Sequence, residues 1–237
     1  MNLDKRLQSV ASFVPQGCTL ADIGTDHAYL PVWLLKKNLI AKAVAGDIAA
    51  GPCQAARNTV AMFGVQHKIE VRQGSGLKIL QKGEADCIAI CGMGGSTIIS
   101  ILAADLEIAA SAQRLVLQPM AGAAGLRQWL VENGWQIIAE DLVDEPSHFY
   151  EIICAERGAD KNYKNYTRAE YLVGPALLRD GHPLLKKQLA RQINSCRELL
   201  KNMARSEKAR VSAKFKETEA LLKELEVSAN EKSDYSK

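Results

Sequence analysis

The sequence contains little that would hold a metal ion. Its six cysteines include no CxxC pair, and no spacing of cysteine and histidine suits zinc, so we expect no metal site. The cysteines lie mostly within apolar runs, as buried small hydrophobes do in a reducing compartment, which predicts a cytoplasmic protein. The chain is charged within its first four residues and no apolar run follows, so we also expect no secretory signal.

Long hydrophobic runs are equally scarce. The longest uncharged stretch, residues 87–104, has 18 residues, close to the roughly 18 that suggest a membrane span. Its central segment GMGGST contains three glycines, which break a helix but suit a buried strand, a tight turn and a helix start. We therefore expect no membrane segment. With 47% hydrophobic residues in a chain of 237, we predict a soluble globular protein of one moderate domain plus an appendage.

The sequence does contain a regular alternation of strand-like and helix-like segments. An amphipathic helix ends before Pro15, and seven strand-like runs follow at 18–23, 42–48, 68–74, 85–91, 114–119, 135–141 and 149–156. Helical patterns between most of them cover 28–38, 52–63, 96–106 and 121–133. This alternation predicts an α/β fold with a seven-stranded, mostly parallel sheet and helices on both faces. The last two runs are joined without a helix, so we predict a hairpin whose final strand is antiparallel, at or near an edge.

Beyond residue 158 the pattern changes to helices with an excess of basic residues. Residues 1–157 carry a net charge of −3 and residues 158–237 carry +6, an asymmetry that points to a polyanionic partner such as nucleic acid. A capping box at 167–170 starts a helix, and two apolar seams follow in coiled-coil spacing. The first seam is Leu185, Leu189, Ile193, Cys196, Leu200 and Met203, and the second is Val211, Phe215, Thr218, Leu222 and Leu225. We predict one domain at 1–157, a small helical domain with an antiparallel coiled coil at 158–227, and a disordered tail at 228–237.

The strand ends, where ligands of an open α/β sheet bind, carry carboxylates instead of a glycine-rich phosphate loop. Asp22, Gly24, Asp26 and His27 follow the first strand, and Asp47 ends the second. An acidic residue at the second strand end is where a ribose diol is held, whereas carboxylates at 22 and 26 would repel a pyrophosphate and favour a cation. A ligand with a ribose, a cation and no phosphate is S-adenosylmethionine. The alternative is that Asp22 and Asp26 only cap the turn and the following helix.

The next two strand ends carry further glycines. Gly74 and Ser75 follow the third strand, where the adenine of such a ligand would lie. Gly92, Met93 and Gly94 follow the fourth, where the backbone must approach a ligand closely. The Asn/Asp-Pro-Pro-aromatic motif of adenine amino-group methyltransferases is absent, which leaves a ring nitrogen, a small molecule or a protein as acceptor. The GxGxxG motif is absent too, which disfavours a nicotinamide oxidoreductase.

Several segments together make the chain resemble the bacterial TrmK family, the tRNA (adenine-22-N1)-methyltransferases. These segments are LDKRL at 3–7, DIGTDHAYLP at 22–31, CGMGG at 91–95, LQPM at 117–120, FYEII at 149–153 and GPALL at 174–178. The resemblance implies a class I methyltransferase domain with a coiled-coil appendage, S-adenosylmethionine as donor, and N1 of adenine 22 in tRNA as acceptor. It implies donor-binding roles for Asp22, Gly24, Asp26, His27, Asp47, Gly74, Ser75, Gly92, Met93 and Gly94, and Arg6 is a further candidate for the donor carboxylate.

The acceptor side needs little side-chain chemistry. Unpaired adenine N1 carries an in-plane lone pair, so alignment with a sulfonium methyl can supply most of the acceleration without a strong base. We expect His27, Met93, Gln118 and Pro119 around the reacting atoms, with Gln118 and Pro119 reading the adenine edge. The side chains predicted to contact tRNA phosphates are Lys186, Lys187, Arg191, Arg197, Lys201 and Arg205.

Two other functions remain open at this stage. The first is a class I methyltransferase that acts on another RNA site, a small molecule or a protein, with the basic helices as an oligomerisation arm. The second is a non-catalytic RNA-binding module. We expect a monomer.

Overall fold

The protein forms two compact units, Met1–Asp160 and Lys161–Lys237. The structure is a computed structural model that describes residues 1–146, 148–158 and 166–233. The start of the predicted helical domain, through residue 165, and the last four residues of the predicted tail thus lie largely outside the described residues. The predicted limits of the domains stay predictions.

The first unit is built on a seven-stranded sheet of order β3-β2-β1-β4-β5-β7-β6. Its strands are β1 (Thr19–Ile23), β2 (Lys42–Asp47), β3 (Ile69–Gln73), β4 (Cys87–Gly94), β5 (Arg114–Ala121), β6 (Trp135–Glu145) and β7 (His148–Arg157). Strands β1 to β5 are parallel, whereas β7 pairs antiparallel with both β5 and β6. The predicted mostly parallel sheet and its terminal hairpin are therefore confirmed, and the antiparallel β7 lies one strand in from the edge.

Helices cover the sheet between the strands. They are α1 (Lys5–Phe13), α2 (Tyr29–Lys36), α3 (Ala50–Met62), α4 (Gly95–Ala104), α5 (Leu106–Ser111) and α6 (Ala123–Glu132). The inner strands are nearly continuous apolar runs because both of their faces are buried, and four of the five residues of β1 are buried. The prediction of one helix over 96–106 is wrong about where that helix ends. The chain leaves helical geometry at Asp105 (φ −139°, ψ 57°), a residue type that disfavours helix interiors, and a second helix follows.

The first helix is tied to strands far along the chain. Asp4 caps α1 by accepting a hydrogen bond from the Leu7 amide at 2.7 Å. The Ser9 hydroxyl donates to the Asp141 carboxylate in β6 at 2.5 Å, and Arg114 in β5 donates to the Phe13 carbonyl at 3.0 Å. These bonds hold α1 against β5 and β6, two strands from the later part of the chain.

The second unit is helical throughout its described part. Its helices are α7 (Arg168–Val173), α8 (Pro175–Asp180), α9 (Leu185–Met203), α10 (Glu207–Arg210) and α11 (Ala213–Ser233). Thr167 and Glu170 form both hydrogen bonds of the predicted capping box. The long helices α9 and α11 pack against each other, and the chain reverses between them within nine residues, so they run antiparallel. Supercoiling of this pair stays a prediction.

Two features of the second unit differ from the sequence expectation. Val211, predicted to start the second seam, is 72% exposed and precedes α11, whose buried side chains begin at Thr218. Helix α11 also continues to Ser233, whereas residues 228–237 were predicted to be a disordered tail. This segment lacks glycine and proline and contains good helix formers, and the Ser228 hydroxyl donates to the Glu224 carbonyl one turn earlier at 3.1 Å.

The described residues contain neither a membrane-spanning helix nor a cluster of metal-binding side chains. None of the helices in the described residues combines the length and apolar character that crossing a bilayer requires. Across the same part of the chain, no three side chains of the metal-binding types come together.

Candidate active site

The loop after β1 is fastened to the neighbouring strand by its backbone. The amides of Gly24 and Thr25 both donate to the Gly46 carbonyl at the end of β2, at 2.8 and 3.0 Å. Gly24 has φ of 76°, and Asp26 and Ala28 follow with φ of 52° and 55°. Left-handed geometry at three positions turns the chain sharply, and aspartate is one of the few residue types that tolerates it. The loop thus begins with a required glycine and a tolerated aspartate.

Asp22 places a buried carboxyl group beneath this loop. The residue is 5% exposed, and its Oδ2 accepts a hydrogen bond from the Thr25 hydroxyl at 2.5 Å. Burial raises the pKa of Asp22 to about 6, although the Thr25 hydrogen bond and then the charge of Arg6 act in the opposite direction. Among the residues that the structure describes, no cation lies within ion-pair distance of it. A buried carboxylate with only a neutral donor is suited to receive a cationic ligand.

Asp47 ends β2 beside this loop and is partly exposed. Its Oδ1 accepts a hydrogen bond from the Ala49 amide at 2.9 Å, which fixes the carboxylate and leaves Oδ2 for a further donor. The next residue, Ile48, is 68% exposed, and sequence reasoning missed it. An isolated isoleucine directly after a strand-end acid is a detectable signal, because it places apolar surface next to a diol-binding carboxylate.

The glycines near β2 and β3 are explained first by packing. A methyl group at Gly46 would lie 2.0 Å from Ile79 Cδ1, and one at Gly74 would lie 2.6 Å from Ile79 Cγ2. Both glycines therefore make room for Ile79, which closes a short 3₁₀ turn at Gly76–Ile79. The donor-binding role predicted for Gly74 thus has a structural explanation as well. Ser75 stands at the start of the same turn, and its side chain makes no capping hydrogen bond there.

The end of β4 bulges toward β1. Register shifts interrupt the β4–β5 pairing between Cys91 and Met93 and again at Gly94, and Gly92 has φ of 76°. A methyl group at Gly24 would lie 2.1 Å from Met93 Cε, so the Met93 side chain lies directly over the loop glycine. Burial and then the charge of Asp22 raise the pKa of the Cys91 thiol, so this cysteine is no thiolate nucleophile.

Gln118 is placed differently from the sequence expectation. It is fully buried, its Oε1 accepts from the Gly92 amide at 3.1 Å and from Arg6 at 2.8 Å, and its Nε2 donates to the Pro119 carbonyl. Its amide is therefore occupied inside the protein, where it holds the β4 bulge, and does not present a free edge to an adenine. Pro119 pairs in register with Met93 at the bulge, where a missing amide hydrogen is tolerated.

Arg6 reaches the strand ends from α1. Besides donating to Gln118, its guanidinium lies 3.6 Å from an Asp4 carboxylate oxygen and 5.7 Å from the ring centroid of Tyr150. The expected contact of Arg6 with a donor carboxylate would add to these partners. Tyr150 is stacked on His148 with ring centroids 5.4 Å apart, which makes it part of the wall around Arg6.

Two rings stand at the outer side of the β1 loop. His27 stacks on Tyr29 with centroids 5.1 Å apart and planes 9° apart, and His27 Nε2 lies 3.6 Å from the Asp26 carboxylate. Tyr29 is 45% exposed. The structure brings His27 to the loop as predicted, and it adds Tyr29, which the sequence analysis overlooked although it lies two residues further on.

The six basic residues predicted to contact tRNA all belong to the second unit. They are Lys186, Lys187, Arg191, Arg197, Lys201 and Arg205, and all are exposed. Arg197 is ion-paired with Glu226 at 2.7 Å, and Lys201 lies 3.7 Å from Glu198. Part of this positive charge is therefore already balanced within the unit.

Comparison with known proteins identifies the family. The profile of the TrmK family, described as tRNA (adenine(22)-N(1))-methyltransferase, matches residues 20–226. The chain belongs to the TrmK family. A tRNA (adenine(22)-N(1))-methyltransferase of Bacillus subtilis (strain 168) is 36% identical over 208 residues, 87% of each chain.

Solved structures agree with this assignment. The crystal structure of the B. subtilis m1A22 tRNA methyltransferase TrmK superposes with a TM-score of 0.87 at 35% identity, over 96% of this chain and 99% of that one. A putative tRNA (m1A22) methyltransferase of Streptococcus pneumoniae, solved in complex with S-adenosyl-L-methionine, gives 0.84 at 32% identity, over 96% and 100%. The predicted family, the predicted enzyme class and the class I methyltransferase fold are thereby confirmed.

Proposed function

We propose that this protein transfers a methyl group from S-adenosylmethionine to N1 of adenine 22 in tRNA. The observation that carries the proposal is the buried Asp22 carboxyl group, which has a hydroxyl donor but no cation within ion-pair distance among the described residues, beside the free Oδ2 of Asp47. A ligand that brings a positive group and a ribose diol to the same edge satisfies both carboxylates. The family membership supports the same donor and acceptor.

The donor side is assigned from the loops after β1, β2 and β3. S-adenosylmethionine supplies an electrophilic methyl group on a sulfonium. Asp22 and Asp26 provide negative charge near the cationic part of the ligand, and Asp47 accepts hydrogen bonds from the ribose hydroxyls. Ile48 offers apolar surface for the adenine, and the backbone at Gly74 and Ser75 closes the other side.

The acceptor side is assigned to the bulge of β4 and its neighbours. Met93 and the backbone at Gly92 and Gly94 separate donor from acceptor, and His27 lies at the loop edge where the base would enter. Gln118 acts as a positioning residue, because its side chain holds the Gly92 amide and Arg6 together. Pro119 lies on β5 opposite Met93, at the bulge of β4. Adenine N1 needs no proton removed before it attacks a methyl group, so positioning supplies the acceleration.

The remaining assignments concern the setting of the reaction. The basic second unit would bind tRNA phosphates, because exposed Lys and Arg side chains neutralise a polyanion without reading its sequence. We place the reaction in the cytoplasm and assign it to a monomer. We also assign it no metal ion, since the site described above needs none for methyl transfer to a ring nitrogen.

The experiment is methylation of an unmodified tRNA with isotopically labelled donor, followed by mapping of the product nucleotide by mass spectrometry. We expect one labelled methyl group at N1 of adenine 22, and none on a matched tRNA whose residue 22 is guanine. A product at another nucleotide, or transfer only to protein or small molecules, would refute the assignment of the acceptor. Absence of any transfer would favour the non-catalytic RNA-binding alternative.

A further inference from the structure

The basic residues of the second unit fall into two groups that differ in their partners. Along α9, Arg197 and Lys201 have carboxylate partners at 2.7 and 3.7 Å, and Lys187 and Arg191 also make contacts, whereas Lys186 has no ion-pair partner among the described residues. Charges that are already balanced release fewer counterions when a polyanion binds. The α9 group is therefore weaker than its sequence suggests.

The second group lies where the chain passes from α9 to α11, in residues 206–216, which we call the basic tip. It contains Lys208, Arg210, Lys214 and Lys216, all exposed, and a single acidic residue, Glu207, so its net charge is +3 in eleven residues. Within the side chains that the structure describes, none of these four cations has an ion-pair partner. Their charge is therefore available to a ligand.

The basic tip is an ordered segment held by its own capping bonds. The Ser206 hydroxyl accepts from the Ala209 amide at 3.4 Å at the start of α10. The Ser212 hydroxyl donates to the Ala209 carbonyl at 2.7 Å and accepts from the Phe215 amide at 3.2 Å at the start of α11. Because the backbone is fixed in this way, the four cations are presented together at small entropic cost on binding.

The acidic residues of α11 lie partly beside the tip and partly beyond it. Residues 217–226 of α11 contain four glutamates and one lysine, a net charge of −3, and this segment runs beside α9, as the Arg197–Glu226 pair shows. Glu224 and Glu226 lie about 12 and 15 Å along the helix from Lys216, beyond a Debye length of roughly 8 Å, since each residue of a helix rises 1.5 Å. Glu217 and Glu219 lie within that length, and Glu217 is paired with Arg168 at 3.7 Å. The charge of the basic tip is therefore offset only in part by the acidic residues that follow it.

We infer that the basic tip is a contact of the second unit with the phosphate backbone of tRNA. The inference rests on the proposed function for its partner and goes beyond it in naming the surface. Charge complementarity to a folded RNA carries it, because four unpaired cations on a fixed scaffold attract a polyanionic backbone.

The test compares two variants with the same change in charge. The tip variant combines Lys208→Gln, Arg210→Gln, Lys214→Gln and Lys216→Gln. The control variant combines Lys42→Gln, Arg57→Gln, Lys68→Gln and Lys82→Gln, four exposed residues of the first unit outside the active site, again three lysines and one arginine. Glutamine keeps helix propensity, and helix content by circular dichroism verifies that both variants are folded.

The tip variant should bind unmodified tRNA about 10- to 100-fold more weakly near 0.1 M salt, and the slope of log affinity against log salt should fall by about 3. Donor affinity by calorimetry should stay at the wild-type value, and the control variant should bind tRNA within about threefold of wild type. Equal losses in both variants would overturn the inference, because net charge alone would then explain them. An unchanged tip variant would also overturn it while leaving the proposed function intact, provided that the wild-type enzyme still methylates tRNA.

Discussion

Replacing Asp22 by asparagine should stabilise the protein while it weakens donor binding. An unfolded aspartate titrates near 3.8, whereas burial raises the pKa of Asp22 in the folded protein to about 6. The folded state therefore binds the extra proton more tightly, and this group makes the protein less stable as the pH rises from about 4 to about 6. A difference of roughly two units corresponds to about 3 kcal/mol of lost stability at neutral pH, at 1.36 kcal/mol per unit.

Asparagine removes the charge but keeps an oxygen that accepts the hydrogen bond from Thr25. Without donor, thermal unfolding at pH 7.5 should show Tm raised by roughly 6 to 12 °C, given about 2 to 4 °C per kcal/mol for a chain of this size. The gain should disappear below about pH 4, where wild-type Asp22 is neutral in both states. Calorimetry should show donor affinity at least tenfold lower in the variant, and in the wild type it should decrease as the pH falls below 6.

Asp26→Asn is the matched control for stability, because the Asp26 side chain is largely exposed and asparagine tolerates its left-handed backbone. Its Tm should stay within about 2 °C of wild type. If Asp22→Asn leaves Tm unchanged or lowers it, then burial of the ionised Asp22 carboxylate does not lower the stability of the protein. If the variant also retains the wild-type donor affinity, then the ligand does not use this carboxylate.

Three further predictions concern the same site. Asp47→Ala should lower donor affinity at least about 100-fold by calorimetry, since two charge-assisted hydrogen bonds to a diol are lost. If the variant binds the donor with wild-type affinity, the assignment of Asp47 to the ribose is refuted. Gly24→Ala should lower the free energy of unfolding in urea by about 1 to 2 kcal/mol, because alanine is strained at the left-handed φ of this position. Adding Met93→Ala to this variant should recover only the part of the loss that comes from contact with the Met93 methyl group, and full recovery would show that the backbone is not the cause. Gln118→Leu should lower kcat more than it changes donor affinity, because the Gly92 amide loses its hydrogen-bond acceptor. Gln118→Glu keeps that acceptor and should retain most of the wild-type kcat. Equal kcat values in the two variants would exclude a positioning role.

The fold could be predicted from the sequence because its signals are local and repeated. Continuous apolar runs such as that of β1, separated by helical periodicity, define a buried parallel sheet, and the missing helix between the last two strands defines the hairpin. The carboxylates of the site could be predicted for the same reason, since strand ends in such a sheet meet at one edge. Neither inference required knowledge of long-range packing.

The details that escaped prediction depend on contacts between distant residues. Gln118 is one example, because its amide is occupied by Arg6, 112 positions away, and by Gly92. Ile79 is another, because its side chain fills the space left by Gly46 and by Gly74, and Gly74 was expected to be there for a ligand. Single-residue patterns contain no information about which side chain fills such a space. The interruption at Asp105 was missed because the apolar pattern continues across it.

The bonds that hold α1 have a consequence for the order in which the protein folds. Helix α1 is synthesised before the strands that hold it, and its partners Arg114, Gln118 and Asp141 follow more than a hundred residues later. Such contacts are of high sequence separation, and the entropy of closing so long a loop must be overcome before they form. A nascent chain that has not yet exposed β5 lacks the Arg6–Gln118 contact, and one that has not yet exposed β6 lacks the bond from Ser9 to Asp141, so competence to bind the donor is acquired late in synthesis.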